Sequence, residues 1–182
     1  MHWKKLSSKY LSRHIYFTAR EDRCQMPDGT IVDPYFVVEL PGSVCAMALT
    51  EACEVILAKQ YRHPIEESIY ELPGGFIDAG ETAEMAIARE LQEETGYTFS
   101  GFYYLGRTAA NPGVLNNFTT LYLVTGGKKV AEQKLDYNEE IEIKLFPLEE
   151  VRTMLMNSEI KQAMHATCLF YGFSRLDEIT KM

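Results

Sequence analysis

Residues 82–95 constrain the fold more than any other stretch. Thr82 is a helix-capping residue, Gly96 suits the left-handed turn that ends a helix, and Ala83, Ile87 and Leu91 recur every fourth position. The segment therefore predicts a helix with one buried stripe. On this helix Glu90, Glu93 and Glu94 stand at i, i+3 and i+4, crowding three carboxylates into one turn at the end where the helix dipole already disfavours negative charge. Like charges at such spacings cost about 0.2–0.5 kcal/mol per pair. A local rule broken without structural return points to function, and clustered carboxylate oxygens suit a hard divalent cation, Mg²⁺ or Mn²⁺. A solvated acidic face is the alternative.

The 182 residues carry 18 Lys+Arg against 26 Asp+Glu, a formal charge of −8. At this length roughly 70% of the unfolded surface can be buried, so the core needs neither disulfides nor a structural metal. The acidic excess argues against nucleic-acid binding, which draws its free energy from basic residues on phosphates. A phosphate-bearing substrate is compatible once a cation neutralises the site. No membrane span is expected, because the longest apolar stretch, residues 44–58, contains Glu51 and Glu54. Residues 1–20 lack the apolar region of a secretory signal. Cys24, Cys45, Cys53 and Cys168 form no C-x-x-C pair and read as reduced thiols of a cytoplasmic protein.

Residues 14–20 and 31–40 are rich in β-branched and aromatic side chains and flank the turn formers Pro27, Asp28 and Gly29, which predicts a β-hairpin extension. Further strands are predicted over residues 43–49, 53–61, 69–72, 99–107, 118–124 and 141–146, and helices over 148–156 and 158–171. The order implies an α/β fold with a mixed sheet covered by helices. The division expected is an N-terminal β extension, residues 1–42, and a main domain, residues 43–182.

Before the acidic helix stands Glu71-Leu-Pro-Gly-Gly75-Phe-Ile-Asp-Ala-Gly80-Glu81, where paired glycines after a strand let the backbone approach a ligand. From Gly75 to Tyr97 the chain resembles the Nudix box, G-x5-E-x7-R-E-U-x-E-E-x-G-U with U bulky and aliphatic. Gly75, Glu81, Arg89, Glu90, Leu91, Glu93, Glu94 and Gly96 match, and only Tyr97 departs, being aromatic. The resemblance implies a Nudix-like α/β/α sandwich that hydrolyses a nucleoside diphosphate linked to another moiety. It also implies that Glu90 and Glu94 are the principal metal ligands, with Glu93 a further or water-bridged ligand and the Gly74 carbonyl an added oxygen. Arg89 would orient the glutamates, and Glu81 would be either a ligand or the salt-bridge partner of Arg89.

Three features narrow the resemblance to the ADP-ribose and nucleotide-sugar pyrophosphatases. They are Gln60-Tyr-Arg62-His-Pro64 ahead of Glu71-Leu-Pro, Pro112 lying 15 positions past Tyr97, and the N-terminal hairpin, which in that group builds a homodimer. Arg62 is the implied phosphate contact. Several members carry a catalytic glutamate in the loop after the marker proline, but residues 111–120 contain no acid. A glutamate entering the next strand can serve instead, and Glu140 matches that pattern best, with Glu139 and Glu93 as alternatives. Trp3, Tyr16, Phe17, Tyr35 and Phe36 are available to stack on a nucleobase. The competing readings are a dinucleoside polyphosphate hydrolase and a sensor domain that binds nucleotides without turnover.

Overall fold

The computed structural model describes residues 1–14 and 17–179, which divide into two compact units. The smaller comprises residues 1–42 and 109–118, and the larger residues 43–108 and 119–179.

The smaller unit is a three-stranded antiparallel sheet of β1 (Lys4–His14), β2 (Phe17–Gln25) and β3 (Ile31–Glu39). β2 and β3 form the expected hairpin around Pro27–Gly29, but the strand expected over residues 14–20 is divided: His14 ends β1 and Phe17 opens β2. Tyr16 lies outside the described residues. The middle of this sheet is polar: buried Asp22 accepts from Arg20 Nε at 3.0 Å and from the Ser8 hydroxyl, and Arg20 also pairs with Glu39. These hydrogen bonds outweigh the cost of burying Asp22 and hold its carboxyl below the usual carboxylate range. Residues 109–118, placed by the sequence division in the larger unit, belong here. Val38 N donates to Val114 O at 2.9 Å, Leu40 N to Asn116 Oδ1 at 3.0 Å, and the Tyr35 hydroxyl to Gly113 O at 3.0 Å.

The larger unit is built on a mixed sheet. Its strands are β4 (Ser43–Thr50), β5 (Glu54–Arg62), β6 (Glu67–Glu71), β7 (Tyr97–Thr98), β8 (Gly101–Thr108), β9 (Thr119–Lys129) and β10 (Ile141–Pro147). The main path runs β10-β5-β4-β9-β7, with β6 paired to β5 and β8 to β9. β4 and β9 pair in parallel, Val44 opposite Thr120 and Met47 opposite Leu123. Both faces of this pair are buried, so β4 reads as an apolar run.

Alternation along β4 then sorts the helices. Val44, Ala46 and Ala48 pack with Ala86, Ile87 and Leu91 of α1 (Ala83–Thr95), whereas Cys45, Met47 and Leu49 pack with α2 (Leu148–Met156) and α3 (Ala163–Ile179). The result is helix, sheet, helices, in three layers. The cap of α1 is the one expected: Thr82 Oγ1 accepts from Met85 N at 3.2 Å, and Gly96 ends the helix at φ 75°. α3 starts and ends later than expected from periodicity. Ser158 takes a positive φ of 60°, and Gln162 sits at the helix start with its side-chain oxygen on the N–H groups of Met164 and His165. None of the described helices is long and apolar enough to cross a membrane.

His165 ties α3 to the sheet, its Nδ1 accepting from Leu72 N at 3.2 Å. Burial, with the charge of Arg62 adding to it, pulls this imidazole down to about 3, against about 6.5 in an unfolded chain. Between those values the unfolded chain binds the extra proton, so this contribution is complete above pH 6.5 and is lost as pH falls towards 3. Wild-type melting temperature should therefore fall more steeply from pH 7 to pH 4.5 than that of His165→Asn. Parallel slopes in a thermal-melt series would contradict it.

Candidate active site

The loop between β6 and α1 is shaped by two glycines. Gly74 has φ 152°, and a Cβ there would lie 2.2 Å from the Val44 carbonyl oxygen; a Cβ on Gly75 would lie 2.4 Å from Glu90 Oε1. Any side chain at either position would displace β4 or the helix carboxylates, so the loop can lie against both only as glycine. Gly74 N then donates to Glu94 Oε2 at 2.9 Å, and Val44 N to Gly75 O at 2.9 Å.

Arg89 organises the carboxylates. Its Nε and Nη2 hold the two oxygens of Glu81 at 2.9 Å each, and Nη1 reaches Glu90 Oε1 at 2.9 Å and Glu93 Oε2 at 3.1 Å. Nη2 also donates to the Phe76 carbonyl at 3.1 Å, which occupies all five N–H groups of the guanidinium. Of the two roles open to Glu81, the structure places it as the partner of Arg89, whose hydrogen bonds lower its carboxyl to about 2. The same contacts raise the pKa of Arg89 above its ordinary value.

Glu94 is different. It is 7% exposed, and among the described residues its one side-chain hydrogen bond is accepted from Gly74 N. Burial pushes its carboxyl up to about 8, with Glu90 and Glu139 adding repulsion against the lowering effect of the Gly74 bond. Burial also raises Glu90, outweighing the help it has from Arg89. One guanidinium thus hydrogen-bonds three carboxylates and lies 3.7 Å from a fourth, Asp78, while among the described residues Glu94 has no direct cationic partner.

These groups face a cavity of 490 Å³ whose lining includes Gly74, Arg89, Glu90, Glu93, Glu94 and Arg62. Six of the seven residues expected at the site therefore share one cavity. Arg62, at the end of β5, spends Nε and Nη2 on buried Glu71 Oε2 at 2.9 and 2.7 Å, which holds the guanidinium at the rim. Glu140 is the exception: it is exposed and does not line the cavity, whereas half-buried Glu139 does. The reason is a turn the strand pattern did not register. Glu139 N donates to Asp136 O at 3.0 Å and Glu139 Oε2 accepts from Asp136 N at 3.0 Å, fixing that carboxylate before β10 begins.

Among the described residues, no three carboxylate, imidazole or thiolate groups already converge at ligand distance. Arg89 holds Glu90 and Glu93 towards itself. The chemistry of the donor set nevertheless fits a hard cation, because the oxygens of Glu90, Glu93 and Glu94 and the backbone of Gly74 face one cavity with more negative charge than Arg89 neutralises. Trp3, Phe17, Tyr35 and Phe36 do not line it; Trp3 and Tyr35 instead meet edge to face at 6.1 Å. Gln162 and His165 of the α3 start do line it. Sequence reasoning missed both, since a polar residue on a helix that supplies core side chains carries no motif.

A family model described as NUDIX domain matches residues 39–166, and one described as nucleoside diphosphate sugar hydrolase N-terminal domain matches residues 3–38. The chain is 29% identical over 175 residues to an ADP-ribose pyrophosphatase of Bacillus subtilis (strain 168), covering 92% of this chain and 94% of that one. It is 31% identical over 160 residues to an ADP-ribose pyrophosphatase of Mycobacterium tuberculosis (strain ATCC 25618 / H37Rv), covering 87% and 77%. Its fold is similar to the crystal structure of an ADP compounds hydrolase, with TM-score 0.87 over 100% of this chain and 98% of the other at 19% identity. That likeness speaks for the fold. With a family model over most of its length and the motif residues gathered around one cavity, the chain belongs to the Nudix family.

Proposed function

We propose that this chain hydrolyses the pyrophosphate bond of ADP-ribose or a nucleoside diphosphate sugar, giving a nucleoside monophosphate and a sugar phosphate. The observation that carries the reading is buried Glu94, which has no direct cationic partner among the described residues, in a cavity that also holds Glu90, Glu93 and Arg62. Relatives of nearly full length named as ADP-ribose pyrophosphatases support the substrate class. Nudix hydrolases generally use divalent ions, and Mg²⁺ or Mn²⁺ suits these all-oxygen donors. Glu90, Glu94, Glu93 and the Gly74 carbonyl would hold the ion. When bound, it offsets the charge of the diphosphate, polarises the attacked phosphorus and lowers the pKa of a water.

The remaining roles belong to the protein's own groups. Arg89 keeps Glu90 and Glu93 in place, and the remaining N–H groups of Arg62 are available to a phosphate oxygen. Glu139 takes the base role assigned by sequence to Glu140. One oxygen of Glu139 is pinned by Asp136 N, which leaves the other to accept a proton, while Glu93 is engaged by Arg89. As the water oxygen bonds to one phosphorus, its proton passes to Glu139. The bond from that phosphorus to the bridging oxygen breaks, and the electron pair leaves on the second phosphate.

The chain is proposed to act as a homodimer through its N-terminal sheet, which exposes Leu11 at 52%, Phe17 at 53% and Phe36 at 55%. Apolar surface of that kind on a three-stranded sheet needs a cover. A reducing, cytoplasmic setting fits the free Cys24, Cys45, Cys53 and Cys168.

Glu94→Gln, which retains an oxygen for the Gly74 N–H, should lower kcat for ADP-ribose at least about 10²-fold while leaving the fold intact. Chelation by EDTA should abolish turnover, and full activity in EDTA would refute the metal requirement. Glu139→Gln should lower kcat about 10²- to 10⁴-fold and Glu140→Gln less than about twofold. The reverse order would return the base to Glu140. Sedimentation at micromolar concentration should find a dimer, and a stable monomer would remove the N-terminal sheet as an interface.

A further inference from the structure

The start of α3 brings Gln162, Met164 and His165 to the cavity, and of the two hydrogen-bonding side chains among them, Gln162 and His165, the protein's own backbone has already consumed an acceptor atom of each. Leu72 N–H reaches His165 Nδ1 at 3.2 Å. A backbone N–H can only donate, so Nδ1 is unprotonated and the ring proton sits on Nε2. Gln162 Oε1 likewise receives Met164 N–H and His165 N–H, which leaves its amide NH₂ as the group able to meet a ligand. Neither the His165 Nε2–H nor the Gln162 NH₂ has an acceptor among the described residues.

His165 is 9% exposed, and no side-chain nitrogen or oxygen among the described residues is both fully buried and unpartnered. The Nε2–H therefore opens on the cavity that the ring lines. Buried donors are ordinarily paired, and one aimed into a cavity without a protein acceptor marks the place of a ligand acceptor. The start of α3 brings no charge there: His165 is a neutral imidazole, Gln162 an amide and Met164 a thioether. Nor is the charge of the neighbouring Arg62 unbalanced, since two of its nitrogens hold Glu71. Two neutral donors suit the neutral oxygens of a sugar better than the charged oxygens of a phosphate, which cationic groups bind more strongly.

We propose that His165 Nε2–H and the Gln162 amide donate to hydroxyl or ring oxygens of a sugar of the substrate, making the start of α3 the sugar-recognition element of the cavity. This rests on the pyrophosphohydrolase reading above. The sugar can be the one beyond the diphosphate or the ribose of the nucleoside, and both present the same neutral acceptors.

The test uses His165→Asn, whose shorter amide can still accept from Leu72 N–H but withdraws the Nε2 donor, and Gln162→Ser, which keeps a helix-capping oxygen and withdraws the amide. Melting temperature confirms that each is folded. Each variant should raise KM for ADP-ribose about five- to tenfold with kcat nearly unchanged, as expected when a uniform binding contact is lost. The inhibition constant of methylenediphosphonate, which has no sugar, should stay within about twofold. The methyl ester of ADP, which lacks the distal sugar, locates the contact. An unchanged KM assigns it to the distal sugar, and a KM raised as for ADP-ribose assigns it to the nucleoside ribose.

The proposal is overturned if KM for ADP-ribose stays within twofold in both variants, or if methylenediphosphonate weakens as much as ADP-ribose. A measurement on the wild-type protein stands apart from the variants. ¹⁵N spectra of histidine-labelled protein should show the Nε2–H form of His165, its resonance shifting on addition of ADP-ribose in EDTA, and an Nδ1–H form would overturn the proposal. If the wild-type protein does not hydrolyse ADP-ribose in Mg²⁺, the functional reading fails instead, and the ¹⁵N spectra, which need no turnover, still decide this one.

Discussion

The saturation of Arg89 is the interaction on which the site depends. Five N–H groups meet Glu81, Glu90, Glu93 and the Phe76 carbonyl, so one side chain joins the glycine loop, the approach to α1 and the last turns of that helix. Bidentate geometry at Glu81 is what an arginine offers and a lysine cannot, because a planar fork fixes direction as well as charge. Without it the carboxylates would repel one another at the end of the helix where the dipole adds to the penalty.

The clamp covers only part of the charge it gathers. Glu94 lies beyond its reach, buried against Gly74, with Glu90 and Glu139 as like-charged neighbours. A desolvated carboxyl of this kind is costly to ionise, and what lowers that cost most is a nearby positive charge. Core packing explains why the position is kept so dry. Ala86, Ile87 and Leu91 seat the buried stripe of α1 on the apolar face of β4, which brings the last turn of the helix down onto the glycine loop. Stability and chemistry are thus coupled through one helix: its apolar stripe sets the depth at which its acidic stripe must work.

Local patterning made much of this legible. The caps at Thr82 and Gly96 and the recurrence of apolar residues at every fourth position are properties of a single helix, and α1 runs as they require. The Gly75–Tyr97 spacing is equally local, because loop and helix are joined by a few residues whose geometry the chain itself dictates. The strand pattern failed at Glu140 for the same reason. Alternation holds within a strand, but Glu139 and Glu140 precede β10, where a hydrogen-bonded turn at Asp136 decides which carboxylate faces the cavity.

The sequence by itself determined the elements whose cause lies within one turn or one strand: the capped acidic helix, the glycine loop before it, the N-terminal hairpin, and the crowding of Glu90, Glu93 and Glu94. Only tertiary structure decided what lies far apart in the chain. It set Gln162 and His165 into the same cavity as the acidic helix, and packed residues 109–118 with β3 instead of with the larger unit. The physical reason is that a hydrogen bond such as Leu72 N–H to His165 Nδ1 spans 93 positions. No local periodicity records such a bond, since it forms only after burial of apolar surface has brought α3 onto the sheet.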